Sequence, residues 1–315
     1  MFNSDSENKN IVTGYFGKLP GFPDFIKYNS AGKEIIVIDT WLQEGLALAK
    51  LKIKNDWKSY YNSLNKMNFI FPFTGTDNIT IGNISSSNDK SGRSYPFIMF
   101  SLFNKNSITE LSNYLIPYAF KEIFSGMNKI LDENKMAVDT AHIKSGANNL
   151  IMQDIIPAYI ASDYKKFLSS TKLLSVFELE GDDKISLNYL FEKLIIVYDH
   201  FVSITYKRNP DQSDDFISTC FFFFLLQIVF KSINSTPIVF WYMLDDNSGF
   251  LFLSFTKPTP KDFIDLLLSN RISETSNENI AMENQTGKSL VRDNSTINGS
   301  ITLQEFLDSV KTYLN

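Results

Sequence analysis

Residues 69–103, FIFPFTGTDNITIGNISSSNDKSGRSYPFIMFSLF, decide the fold. Three apolar runs, Phe69–Phe73, Ile79–Ile84 and Pro96–Phe103, are separated by segments rich in Gly, Asn, Asp and Ser. Short β-type runs punctuated by turn formers read as strands. Upstream, Ile11–Phe16 is a further short apolar run that ends in Gly17 and Pro20, and it reads as a strand feeding a loop. Between it and the quoted stretch, Ile35, Ile38, Leu42 and Leu46 recur at three- and four-residue spacing, with Trp41 and Gly45 alongside. That period predicts a helix. A further helical turn or two is expected around Trp57, Tyr60, Tyr61 and Leu64.

Downstream the pattern turns helical. Glu110–Leu131 carries Leu111, Leu115, Tyr118, Ala119 and Ile123 on one face, and Pro117 should bend or break it. Ser186–Phe201 and Asp214–Ile233 read as helices, the second apolar nearly all round and therefore central in the core. Ile238–Leu244 and Phe250–Phe255 flank Asp245-Asp246-Asn247-Ser248-Gly249 and predict a hairpin. Thr259-Pro260 opens a helix through Leu268, with a cap residue and then proline at the first helical position. Thr302 and Glu305 have capping-box spacing before a last amphipathic helix carrying Leu303, Phe306, Leu307, Val310 and Leu314.

Strands towards both ends with helices between them predict an α/β fold: a mixed β-sheet covered by helices on both faces, a three-layer α/β/α sandwich. The expected layout is a disordered start over 1–10, one α/β domain over 11–268, a disordered linker or loop over 269–300, and a C-terminal helix over 301–315. The linker expectation rests on composition, because a Ser/Asn/Thr/Glu-rich stretch buries too little apolar surface to offset its ordering entropy.

Composition narrows the function. The chain has 315 residues, a formal charge of −5 and no dense Lys/Arg run, so a nucleic acid is a poor partner. Its single cysteine, Cys220, lies in an aromatic run and reads as a buried small hydrophobe; no disulfide can form within the chain. The polar, acidic stretch Met1–Asn10 does not read as a secretory signal. The apolar run Phe216–Phe230 falls short of the roughly 20 residues of a bilayer span, so no direct membrane insertion is expected.

Gly17-Lys18-Leu19-Pro20 invites comparison with a phosphate loop, and the comparison fails. Pro20 and Pro23 remove two backbone donors, and no Ser or Thr follows Lys18. The segment reads as a proline-braced loop anchored by Phe22 and Phe25. Asp24 could bond its own backbone or meet a cation, for which Arg93 is the best candidate. Gly92 is expected at positive φ in a tight turn, and Pro96 should hold Tyr95 extended. Arg93 is thus presented from a stiff turn, and a structural Asp24–Arg93 ion pair organising one end of the sheet is expected. His142 and His200 lack paired-metal spacing, and no nucleophile elbow is present. No catalytic residue, cofactor or metal is expected. The competing reading is an enzyme or small-ligand-binding α/β protein whose site draws on Asp139, His142 or His200.

Taken in order, Gly17-Lys18-Leu19-Pro20, Asp24-Phe25, Trp41-Leu42 with Gly45-Leu46, and Gly92-Arg93-Ser94-Tyr95-Pro96-Phe97 resemble the N-terminal part of the TagF family. Phe240-Trp241-Tyr242 and Pro258–Leu267 are similar to the family's aromatic strand, proline-bearing loop and Phe-containing helix. Pro23 departs from the family pattern, which often has Gly there, and should stiffen the loop. The resemblance implies an α/β/α sandwich and a cytoplasmic, non-enzymatic accessory protein of the bacterial type VI secretion system that restrains secretion post-translationally. It implies partners within that system, such as a forkhead-associated scaffold protein or the membrane-anchored assembly. The candidate partner-binding or structural positions are Lys18, Leu19, Pro20, Asp24, Phe25, Trp41, Asp89, Gly92, Arg93 and Tyr95.

Overall fold

The computed structural model describes residues 11–64, 66–150, 155–176, 184–186, 202–207, 215–229, 236–243, 248–272 and 296–314. In chain order the first half contributes β1 (Val12–Gly17), β2 (Ile26–Tyr28), α1 (Lys33–Ile53), α2 (Trp57–Asn62), β3 (Met67–Pro72), β4 (Asn78–Ser85) and β5 (Phe97–Asn104). Next come α3 (Ile116–Ala119), α4 (Lys121–Asn134), α5 (Ala141–Asn148), α6 (Pro157–Ser170), β6 (Lys184–Ser186), β7 (Val202–Lys207) and α7 (Asp215–Val229). The rest is β8 (Ile238–Met243), β9 (Ser248–Ser254), α8 (Pro260–Ile272), β10 (Thr296–Asn298) and α9 (Leu303–Leu314).

The main sheet runs β2-β1-β5-β4-β3-β8-β9-β7, and β6 pairs with β10 in a separate two-stranded ladder. Alternation along each strand sorts side chains between two cores. Phe69, Phe71, Phe100, Phe240 and Phe252 enter the core under α1, α2 and α8. Ile70, Met99, Val239, Trp241 and Leu251, their immediate neighbours in sequence, enter the core covered by α4, α6, α7 and α9. Helices therefore cover both faces, and the chain is an α/β fold of three layers. One detail differs from expectation: among the described residues every strand pairing is antiparallel, where a mixed sheet was expected. Tight connections such as Phe73–Asp77, between β3 and β4, can join only antiparallel neighbours. The longer connections leading to β1–β5 and β3–β8 also return antiparallel.

On α1 the buried residues are Glu34, Ile35, Ile38, Trp41, Leu42, Gly45, Leu46 and Ala49; those from Ile35 on follow the expected period and add Ala49. Pro117 lies in the first turn of α3, and the expected long helix is divided into α3 and α4 at Phe120. Helix α7 buries Ile217, Cys220, Phe221, Phe222, Phe223, Leu225 and Leu226, which accounts for its lack of a polar face. Among the described residues no helix is long and apolar enough to cross a membrane.

At the C-terminal end, Thr302 Oγ1 accepts from Glu305 N–H (3.2 Å) while Glu305 Oε2 accepts from Thr302 N–H (2.7 Å), the reciprocal cap expected from their spacing. Leu303, Phe306, Leu307 and Val310 of α9 are each fully buried against α6 and α7. At roughly 1.5–3 kcal/mol for each large apolar side chain removed from water, this docking is a substantial part of the second core.

Of the expected linker over 269–300, only the two ends are among the described residues, and both hold regular elements. Helix α8 runs on to Ile272, and β10 is ordered by pairing Ile297 with Ile185. The expected disordered start over 1–10 and the hairpin tip over 244–247 lie outside the described residues, as does most of the expected Ser186–Phe201 helix. Ser186 itself is in strand β6.

Candidate functional site

Three segments converge where β1 ends, β5 begins and β4 ends. After β1, Lys18 and Leu19 turn inward and are buried, and Phe22 N–H closes the turn on the Leu19 carbonyl at 3.0 Å. Between β4 and β5 the chain narrows at an Asn88–Ser94 bridge and tightens into a turn. There Gly92 N–H reaches the Asp89 carbonyl at 2.8 Å, and Gly92 takes φ +78°, the positive angle expected of it.

Asp89 organises this turn. Its Oδ1 accepts the N–H groups of Ser91 and Arg93, both at 2.9 Å. Its Oδ2 accepts Lys18 Nζ at 2.9 Å and Arg93 Nε at 2.6 Å. Burial works to raise the Asp89 pKa, but the hydrogen bonds from Lys18 and Arg93 outweigh it. The carboxyl is held well below the usual carboxylate range. Two further bonds fasten this turn to the first loop: Arg93 Nη2 donates to the Pro23 carbonyl at 2.7 Å, and Lys90 N–H donates to the Phe22 carbonyl at 2.8 Å.

The expected Asp24–Arg93 ion pair is not formed. Arg93 pairs with Asp89 and meets the Asp24 loop only through the Pro23 carbonyl. Asp24 is exposed, and its Oδ1 accepts its neighbour's Phe25 N–H at 2.8 Å, the backbone-bonding alternative. The cause is burial. A carboxylate sealed from water needs cations, and Asp89 is sealed whereas Asp24 is solvated.

Beside this cluster, Phe25 lies edge-on to Tyr95 at 4.7 Å between centroids, with Lys18 Nζ 5.0 Å from its ring. The buried Tyr95 hydroxyl bonds the Asp39 carboxylate on α1. Burial, together with that carboxylate, pushes the hydroxyl pKa upward. From α2, Tyr61 donates to the Ser87 carbonyl (2.7 Å) and accepts Ser87 N–H (2.9 Å), clamping the loop between β4 and β5.

Of the sequence-derived positions, the structure brings together Lys18, Leu19, Pro20, Asp24, Phe25, Asp89, Gly92, Arg93 and Tyr95. Trp41 stands apart. Its ring stacks on Phe240 at 5.3 Å and meets Phe263 edge-on at 5.6 Å, while its Nε1–H donates to the Thr259 carbonyl at 2.8 Å. It joins α1 to β8 and α8 and is a core residue.

Sequence reading missed two contributors. Tyr61 is one. The other is the loop 135–139, which approaches so closely that a Cβ on Gly21 would sit 2.0 Å from the Ala137 carbonyl oxygen and 3.2 Å from Val138 Cα. No local motif marks that contact, although the Asp89-to-Arg93 spacing was a visible sign of a turn-forming carboxylate. Asp139 and His142 are both exposed, and Asp139 Oδ1 accepts Ala141 N–H at the start of α5 (2.8 Å). His200 lies outside the described residues. A cavity of about 540 Å³ at the opposite end of the sheet is lined by other residues, among them Phe71, Lys105 and Lys257.

Residues 14–149 match the model of the TagF N-terminal domain family, described as type VI secretion system-associated. The crystal structure of PA0076 from Pseudomonas aeruginosa PAO1 is similar at 18% identity and a TM-score of 0.40. The similarity covers 45% of this chain and 64% of that one. No curated protein matches.

Proposed function

We propose, from the match of residues 14–149 to the TagF N-terminal domain family, described as type VI secretion system-associated, that the protein is an accessory regulator of such a system. It acts by binding protein components and restraining their assembly, and it catalyses no reaction. Its partners are drawn from the secretion machinery, such as a forkhead-associated scaffold protein or the membrane-anchored assembly, and it meets them in the cytoplasm.

The observation that carries this reading is the stitching of two loops, residues 18–25 and 88–94, into one fixed surface within the matched segment. A loop held by a rigid scaffold is a usual place for recognition. Here the central carboxylate is already committed to a lysine, an arginine and two backbone amides. It serves as a strut and is not poised as a base.

The test is secretion in the native bacterium. Overproducing the full chain should lower the output of a secreted substrate of the system, and deleting the gene should raise it. Unchanged output in both strains, with the protein present at the raised level, would overturn the regulatory reading.

A further inference from the structure

We propose that the surface built by residues 18–28, 88–94 and 135–139 docks an acidic segment of a partner protein that also carries apolar side chains. This rests on the binding role proposed above and adds the chemistry of what is bound.

Charge supplies the first argument. The chain as a whole carries −5. On these three segments, however, the exposed cations are Lys27, Lys90, Arg93 and Lys135, and the exposed carboxylates are Asp24 and Asp139. Beneath them Lys18 and Asp89 neutralise each other at 2.9 Å. Both exposed carboxylates bond backbone amides of their own loops, Asp24 at Phe25 and Asp139 at Ala141. The four cations are left facing outward, although one edge of Arg93 is anchored to Asp89 and Pro23. A local positive excess on an acidic protein attracts an acidic partner and repels a basic one.

Exposed apolar surface is the second argument. Met136 and Val138 are 77% and 78% exposed, and they flank Ala137, which packs inward. Phe25, on the neighbouring loop, is 36% exposed. Met136 and Val138 add little to the fold from such positions, and apolar groups rimmed by charge mark interaction sites. Met136 has a flexible thioether suited to an irregular partner surface. The loops that carry them are fixed before binding: Gly21 lies against Ala137, Lys90 is tied to Phe22, and Arg93 is tied to Pro23. Less ordering entropy is then lost on association.

The experiment places a photo-crosslinking residue, Met136→p-benzoylphenylalanine, in the full chain in its native bacterium. Lys257→p-benzoylphenylalanine, at the opposite end of the sheet, serves as the comparison. The expected result is capture of a secretion-system component from position 136 and much less from 257, with the crosslinked peptide net acidic. The double change Lys27→Glu and Lys90→Glu should lower capture about tenfold, with the melting temperature unchanged because both side chains are exposed. A neutral or basic captured peptide, equal or stronger capture from 257, or full capture by the charge-reversed chain would each overturn the docking chemistry while leaving the binding role standing. Capture of no secretion component from either position would overturn the binding role as well.

Discussion

Lys18 and Asp89, 71 residues apart in sequence, meet as a buried ion pair with Nζ 2.9 Å from Oδ2. Removing either partner strands a charge away from water, which is far costlier than never having had the pair. Asp89→Asn should therefore lower the melting temperature by about 5 °C or more. Asp24→Asn, on a solvated side chain that caps one amide, should shift it much less. Differential scanning calorimetry of the two variants checks this, and equal shifts would contradict the assignment of Asp89 as the central carboxylate.

The same group sets an acid limit. Its pKa is depressed in the folded chain from an ordinary value of 3.8. Above that value the carboxylate is ionised whether the chain is folded or not, and its stabilisation is complete. As pH falls below 3.8 the unfolded chain takes up the proton first, so the contribution shrinks and is lost as pH falls through the folded value. Urea unfolding at pH 6 and pH 3 should show a larger drop for the wild type than for Asp89→Asn, which lacks this titration. Parallel losses in the two proteins would count against it.

Helices α1 and α8 touch at Gly45, where an added Cβ would lie 2.6 Å from the Phe263 ring. Gly45→Ala should cost about 1–3 kcal/mol, the usual penalty of overpacking a filled core. The nearest atoms are Phe263 Cβ and Cγ, both at 2.6 Å, and Phe263→Leu keeps them, so that change should recover none of the loss. Denaturant midpoints of both single variants and the double variant measure the coupling, and recovery in the double variant would mean that the contact is relieved by movement of the helices.

Docking of α9 is also testable. Phe306 is fully buried and its ring lies 6.2 Å from that of Phe221 on α7. Phe306→Ala should destabilise the whole chain by roughly 3–5 kcal/mol. A helix reserved for a partner would instead tolerate the change with no shift in the denaturation midpoint.

The parts of the fold legible in the sequence were those that repeat a period. The strands around Ile70, Ile81 and Phe100 alternate between turn clusters, and α1 keeps Ile35, Ile38, Leu42 and Leu46 on one stripe. Helices α5 and α6 went unread because they bury little: Ile143 and Ala147 on one, Tyr164, Phe167 and Leu168 on the other. Two or three apolar positions do not make a recognisable face. At the site, the residues were legible but their partners were not. Both Asp24 and Asp89 are plausible mates for Arg93 in a one-dimensional reading; only the fold reveals which is sealed from water. Trp41 enters the candidate positions because Trp41-Leu42 is one of the family-like motifs, whereas its ring faces the other half of the chain through Thr259 and Phe263.

That last contact bears on how the protein can be dissected. The family-matched segment ends at residue 149, yet β3 is flanked by β8, with Phe69 opposite Phe240 and Ile70 opposite Val239. A gene truncated at that point would produce a half-sheet with a naked flank of unsatisfied amides and carbonyls beside bare phenylalanines, an invitation to self-association. A phenotype in such a strain would report on a misassembled stump, so point substitutions in the intact chain are the sound genetic tool for this molecule.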